Sequence, residues 1–343
     1  MAADLQNTLY VTTPGAFLAR DHENLVVRID GEEKLRVPLH HVGGVVCFGG
    51  TSTSVRALAV LAERGIGISF LSEGGRFLAR MEGPWQGGSL LRRDQYSAAT
   101  EPKKVLAAAR SCVVGKLVNC RRLLLRSARD APDGDANDLR RAADALEHPI
   151  KRAMSAGTVD SIRGHEGDGA RIYFGVFDRM IRDASSGFSL QTRERRPPLD
   201  PLNALLSFLY AILLHEVSAA LLATGLDPAV GFLHRERPGR PGLALDLMEE
   251  LRPALADRAA LALVNRHQIK PDGFVEEQSG AVRMNDATRK DVLKDWQERR
   301  KQLIRHPVTG EEVALGVVPH VQARLFARFL RGDLAEYPPF VID

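Results

Sequence analysis

No nucleotide-binding signature runs through this chain. There is no GxxxxGK[ST], and "GIGISF" at 65–70 lacks the third glycine of a dinucleotide fingerprint. HExxH, GxSxG and an EF-hand loop are missing too, which excludes the chemistries those motifs carry. Cysteine is scarce: Cys47, Cys112 and Cys120 are the only three, and no CxxC exists. They cannot all pair with one another, so they read as small core residues in a reducing cytoplasm. Long hydrophobic runs are lacking as well. "PLNALLSFLYAILLH" offers fourteen uncharged residues before His215 and Glu216, short of the roughly twenty a membrane span needs. It reads as a buried helix. The N-terminus has an early Asp4 and no long apolar stretch, so no signal peptide is expected. Charge of one sign does not dominate either. Lys+Arg 47 against Asp+Glu 43 leaves +4, which permits a nucleic-acid partner without demanding one.

What is present fits a folded chain of two domains. The 343 residues exceed the need of one small core, and 44% hydrophobic with 26% charged residues is ordinary for a globular protein. Residues 1–85 read as a β-rich domain. Short β-branched runs are punctuated there by Pro14-Gly15, Asp30-Gly31 and Gly43-Gly44. Asp30-Gly31 is a hairpin signal, and one helix at about 52–65 is capped by Ser52 or Ser54 and ended by Gly65. Another turn is expected at Gly74-Gly75. "EGPWQGGS" at 82–89 marks a boundary, with 86–98 as linker. From 99 to 343 the pattern is helical, with expected helices at about 138–163, 166–183, 200–223, 242–266, 286–305 and 317–332. Asp200-Pro201 is a clear helix start. The expected class is α+β: a β-rich N-terminal domain, then a larger all-α catalytic domain.

Three segments can carry chemistry. In "RGHEGDGARIYFGVFDRM" (163–180), Glu166 sits between Gly164 and Gly167 at the expected start of a helix. It is either a cap favoured by the helix dipole or a functional acid to which another backbone or a phosphate can come close. In "GFLHRERPGRPGLALDLMEELRP" (231–253), His234 and Arg235, Arg237 and Arg240 precede a helix bearing Asp246 and Glu249. Those acids are three apart among apolar neighbours, and carboxylates near a buried edge are costly unless paired or bound to a cation. Arg252 follows one turn later and can hold a phosphate. One imidazole with carboxylates suits Mn²⁺ or Mg²⁺ better than a structural zinc. A solvated acidic face and an ordinary loop histidine remain the alternative. The third segment, 193–217, opens with Arg193, Arg195 and Arg196 and places Asn203 in a helix's first turn. Farther upstream, Lys103, Lys104, Arg110, Lys116, Arg121 and Arg122 lie in one helical stretch and suggest a surface that tracks a nucleic-acid backbone.

These stretches, with "VRALAVLAERGIGISFLSEGGRFLAR" and the tail "VQARLFARFLRGDLAEYPPF", resemble the CRISPR-associated integrase–endonuclease of spacer acquisition, the Cas-one family. The nearest likeness is to type I-C members, and it covers nearly the whole chain. The resemblance implies a metal triad. The glutamate of RGxEG falls on Glu166, the histidine of the xLHxxRxG segment on His234, and the later acid on Glu249, where some members have aspartate. Asp246 is implied as a second, supporting acid. It also implies Mg²⁺ or Mn²⁺, double-stranded DNA as substrate, and a homodimer with its contact in the β-rich domain. A dimer of the small second-numbered Cas protein would bridge two such dimers, and a Cas-four nuclease is a further expected partner. The rival readings are a non-catalytic DNA-architectural protein, whose binding would ignore EDTA, and a repair nuclease.

Overall fold

The computed structural model describes residues 7–73, 75, 77–81, 88–190, 192–194 and 197–342. Residues 82–87 of the expected boundary, Gly74 of the expected turn, and Arg195 and Arg196 lie outside these.

The N-terminal part holds β1 (Asn7–Val11), β2 (Phe17–Asp21), β3 (Asn24–Ile29), β4 (Glu32–Pro38), β5 (Val42–Phe48), β6 (Ser52–Thr53), α1 (Val55–Glu63), β7 (Gly67–Leu71) and β8 (Phe77–Met81). They build two four-stranded sheets, ordered β1-β5-β7-β8 and β4-β3-β2-β6. The Asp30-Gly31 turn forms as expected: both residues have positive φ (52° and 82°), and Ile29 pairs with Glu32 across it. His22, also at φ 52°, turns β2 into β3, a hairpin the sequence reading did not place. Ser54 caps α1 by accepting from the Ala57 amide, and Gly65 (φ 68°) follows its end.

Strand β5 divides two cores because side chains alternate along a strand. Val45 and Cys47 point into a core with Leu18, Leu25, Ala57 and Leu61 of the second sheet and α1. Val46 and Phe48 face the other way, into the large core of the helical part. There the Phe48 and Phe208 rings lie 5.7 Å apart. Arg289 is buried across the same seam and donates to the carbonyls of Glu73 (3.0 Å) and Thr12 (3.2 Å).

The rest is mostly helical: α2 (Ser89–Thr100), α3 (Pro102–Ser127), α4 (Asp133–Ala145), α5 (Glu147–Ser155), α6 (Val159–Phe174), α7 (Pro201–Thr224), α8 (Gly242–Leu251), α9 (Arg258–Asn265), α10 (Asp286–Arg300) and α11 (Val318–Leu330). Most of the stretch expected as linker is therefore helix α2. Two small antiparallel hairpins, β9 (Phe274–Glu276) with β10 (Val282–Met284) and β11 (Leu303–Arg305) with β12 (Glu312–Ala314), interrupt the helices. Their three-residue strands are too short to show a period. Asp200 caps α7 as expected, accepting from the Asn203 amide at 2.7 Å. By length and composition α7 is apolar enough to cross a membrane; here 67% of its most apolar window is buried inside the protein. All three cysteines are free and buried.

Between α8 and α9 the helix widens into a π-helical turn at Arg252–Asp257. Pro253 explains it: proline has no N–H for the regular ladder and crowds the carbonyl one turn back.

Candidate active site

Three helices and one loop meet around a buried lysine. Helix α6 starts earlier than expected, capped by Thr158, whose hydroxyl accepts from the Ser161 amide at 3.2 Å. Glu166 is therefore mid-helix and is not a cap. Gly164 and Gly167 did not break the helix, and a Cβ at either would meet nothing within 4 Å. The close approach comes instead at Gly169, where a Cβ would lie 2.2 Å from Leu117 Cδ2. That missing methyl lets α6 settle onto α3 and brings Glu166 to Lys116.

The Lys116 ammonium is ion-paired with Glu166 and lies 2.7 Å from Glu249 Oε2. Burial opposes its charge, but Glu249 and Glu166 outweigh this and raise its pKa. Glu249 lies on α8, almost wholly buried. Arg252 Nη1 reaches its other oxygen at 3.2 Å. Desolvation pushes the Glu249 carboxyl up, yet Arg252, Lys116 and His234 together hold it down to about 2. Arg252 also stacks on Tyr210, its guanidinium carbon 5.0 Å from the ring centre.

His234 comes from the loop before α8. Asp246 fixes it: one carboxylate oxygen accepts from the His234 amide (2.9 Å) and faces its Nδ1 at 2.7 Å. The other accepts from the amides of Phe232 (2.5 Å) and Leu233 (2.9 Å). Both Asp246 oxygens are thus spent on the turn and the imidazole. With Nδ1 turned to Asp246, Nε2 is the ring nitrogen that faces Glu249. Nε2 lies 3.9 Å from Glu249 Oε1. The loop can pass this close because Gly231 and Gly242 cross backbone to backbone; a Cβ on Gly231 would meet the Gly242 carbonyl carbon at 2.6 Å. Arg163 on α6 donates to the Leu233 carbonyl from Nε at 2.7 Å and so clamps the loop onto α6.

The lysine ammonium therefore bridges Glu166 and Glu249, and His234 faces the other oxygen of Glu249. As they stand, no three His, Cys, Asp or Glu side chains among the described residues are gathered to hold an ion. The donor set nevertheless fits one. It offers two carboxylates and an imidazole nitrogen, and the buried Glu249 Oε2 has a cation nearby but no well-aligned hydrogen bond.

Behind the site, Asp257 accepts from Tyr173 (2.8 Å) and Tyr210 (2.7 Å). Burial raises its pKa to about 6 against those bonds. Beside Glu249, Glu250 is buried against Tyr337 (2.7 Å) and Gln322 (2.8 Å), and burial drives it up to about 8.

Residues 9–298 match the family described as CRISPR associated protein Cas1.

The chain belongs to the Cas1 family.

It is 51% identical over 341 residues to CRISPR-associated endonuclease Cas1 2 of Rhodospirillum rubrum, with 98% of each chain covered. It is 37% identical over 339 residues to a CRISPR-associated exonuclease Cas4/endonuclease Cas1 fusion of Geobacter sulfurreducens, covering 97% of this chain and 60% of the fusion. Three solved structures share the fold at a TM-score of 0.82. A Cas1 protein of Thermotoga maritima is 24% identical, with 98% of this chain and 100% of that one covered. A Cas6-RT-Cas1–Cas2 complex is 23% identical, covering 99% and 36%. A casposase bound to its integration product is 19% identical, covering 97% and 93%.

Not every basic residue read from the sequence of this Cas1-family chain faces outward. On α3, Lys116 is buried, Arg121 serves the Ala143 carbonyl (3.1 Å) and Glu147, Arg122 bonds the Ile342 carbonyl, and Arg110 bonds the Ala156 carbonyl (2.9 Å). The expected tracking surface on α3 is thereby largely spent inside the molecule. Helices α4, α5, α6 and α8 all pack on α3, and its long cationic side chains reach their carbonyls and acids. Arg193 likewise turns to Asn203 (2.7 Å) and Ser207 (3.2 Å). Arg235 and Arg237 stay exposed, with Arg235 on Asp160 at 2.9 Å, and Arg240 is half-buried. Sequence reading missed Lys116 and Arg163 as parts of the site. The signal for Lys116 was available: it falls on the same helical stripe as Cys112, Val113 and Cys120, where a lone charge needs a partner.

Proposed function

We propose that this chain is a DNA integrase–endonuclease, of the type I-C variety, that inserts foreign DNA fragments into a CRISPR array. The observation that supports it most is that Glu166 and Glu249, from separate helices, share one buried lysine ammonium while His234 Nε2, from a third segment, lies 3.9 Å from the other Glu249 oxygen. In this reading a DNA 3′-hydroxyl attacks a phosphodiester at the repeat edge. One P–O bond forms and the bond to the displaced 3′-oxygen breaks. Bond count is conserved, so no nucleotide hydrolysis is required, in keeping with the missing P-loop. With water as nucleophile the same site is an endonuclease.

Glu166, His234 and Glu249 would hold Mg²⁺ or Mn²⁺, which when bound supplies Lewis acidity toward a phosphoryl oxygen. The chain's own residues do the positioning. Asp246 orients the His234 ring and aims Nε2 inward. Arg252 keeps Glu249 ionised and in place. Arg163 fixes the loop against α6. The open space at Gly164 and Gly167 leaves room for a strand beside Glu166. Arg235, Arg237 and Arg240 on the loop, with Arg195 and Arg196, are the proposed DNA contacts.

We assign residues 1–85 to dimerisation, 86–98 to the connection and 99–343 to catalysis. The named partners are a second copy of the chain, Cas2 and Cas4, in the cytoplasm. The Cas2 of the complex sharing this fold and the Cas4 part of the Geobacter fusion support the last two. The test is strand transfer of a short duplex with free 3′ ends into repeat-bearing DNA, with Mn²⁺ and with or without the small partner. Glu166→Ala and His234→Ala should each abolish transfer and leave DNA binding nearly intact. Normal integration by either variant defeats the assignment.

A further inference from the structure

We infer that a recess between α7, α9 and α10 is a second site, built to take the phosphate of a nucleotide. The recess opens to solvent, and neither Glu166, His234 nor Glu249 lines it. Its apolar walls are Leu255, Trp296 and Leu315, and its polar groups include Arg258, Arg299 and Arg300.

The charges decide what it accepts. Arg300 pairs with Glu216 at 3.1 Å, and Arg299 pairs with Asp295. Arg258 has no hydrogen bond or ion pair among the described residues. The charged groups that act on it are Arg126 and Arg299, both of its own sign. Burial, and then these two neighbours, push Arg258 below the usual arginine range. The π-helical turn sets this up, because it sends Asp257 toward Tyr173 and Tyr210 and leaves the next residue, Arg258, in the recess. A half-buried guanidinium without a counter-charge is expensive, and an incoming anion supplies that charge. Its planar fork of donors matches phosphate oxygens two at a time. The apolar walls suit the sugar and base that a bare ion would lack. Such a phosphate comes either on a free nucleotide or within a DNA strand.

The sequence holds two tryptophans, Trp85 and Trp296, so the variant Trp85→Phe makes Trp296 the sole reporter. In EDTA, which keeps any divalent-ion site out of play, its fluorescence is titrated with inorganic phosphate, with dAMP and with a short single-stranded oligonucleotide. Arg258→Gln should weaken binding at least about tenfold, while Arg328→Gln, an exposed charge on α11, should leave it unchanged. Response to dAMP as well as the strand marks a free-nucleotide site, and response to the strand alone marks a backbone contact; both support the inference. Arg258→Gln should also melt no lower than its parent without ligand, since it loses repulsion and no partner. Unchanged affinity, an equal loss with Arg328→Gln, or a folding defect in Arg258→Gln overturns it.

Discussion

Lys116 Nζ lies 2.7 Å from Glu249 Oε2 and is also ion-paired with Glu166, so one tethered ammonium bridges acids from α6 and α8. A positive charge held between two carboxylates of a proposed metal triad competes with any ion that would use them. Lys116→Met keeps the length and removes the charge. Without divalent ions it should lose about 3–5 kcal/mol of stability, because breaking a buried pair strands the remaining charges. Added Mn²⁺ should restore more stability to the variant than it adds to the parent. Chemical denaturation with Mn²⁺ and with EDTA measures both effects. An equal ion effect in the two proteins would show that lysine and ion do not share the acids.

Asp246 spends both oxygens on the 232–234 turn and on His234 Nδ1. Asp246→Asn preserves the shape but can no longer offer two charged acceptors. Strand transfer should fall roughly 10–100-fold, the usual cost of losing the carboxylate that orients a ligating histidine. DNA affinity should hold. A variant with the parental rate would reduce Asp246 to a loop anchor.

Glu250 is a buried acid whose pKa stands near 8 because burial outweighs the bonds from Tyr337 and Gln322. A folded pKa above the unfolded one means that its contribution is whole at low pH and fades as pH climbs through about 8. Between about pH 6.5 and 8 the parent should lose roughly 2 kcal/mol from this group, at about 1.4 kcal/mol per pH unit. Glu250→Gln should flatten that slope. Asp257, raised to about 6, acts the same way but lower on the scale, so it does not blur this window. Urea midpoints across the range settle it, and parallel slopes for parent and variant contradict the account.

Local chemistry made some of the architecture readable. Asp200-Pro201, Ser54 and Asp30-Gly31 all did what cap and turn residues do, because their partners sit within a few residues. Helix α6 was misread at its start because glycines count against helix on propensity, whereas here the tertiary packing of Gly169 on Leu117 decides. The candidate triad could be named from resemblance, but its lysine could not. Lys116 belongs to the site only through contacts 50 residues away on α6 and farther still on α8. The short strands β9 to β12 carry too few residues for any period to appear. The cations of α3 looked like a surface because composition cannot say which side of a helix its neighbours cover.

Helix α7 is enclosed on nearly every side: Phe208 meets the β-rich part, Tyr210 holds Asp257, and Glu216 anchors Trp296 at 2.9 Å. A helix without a free flank has nowhere to drift. Among diverging relatives, substitutions along 201–224 should arrive in matched sets, each change answered by one in a touching neighbour, while the outer faces of α2 and α4 vary singly.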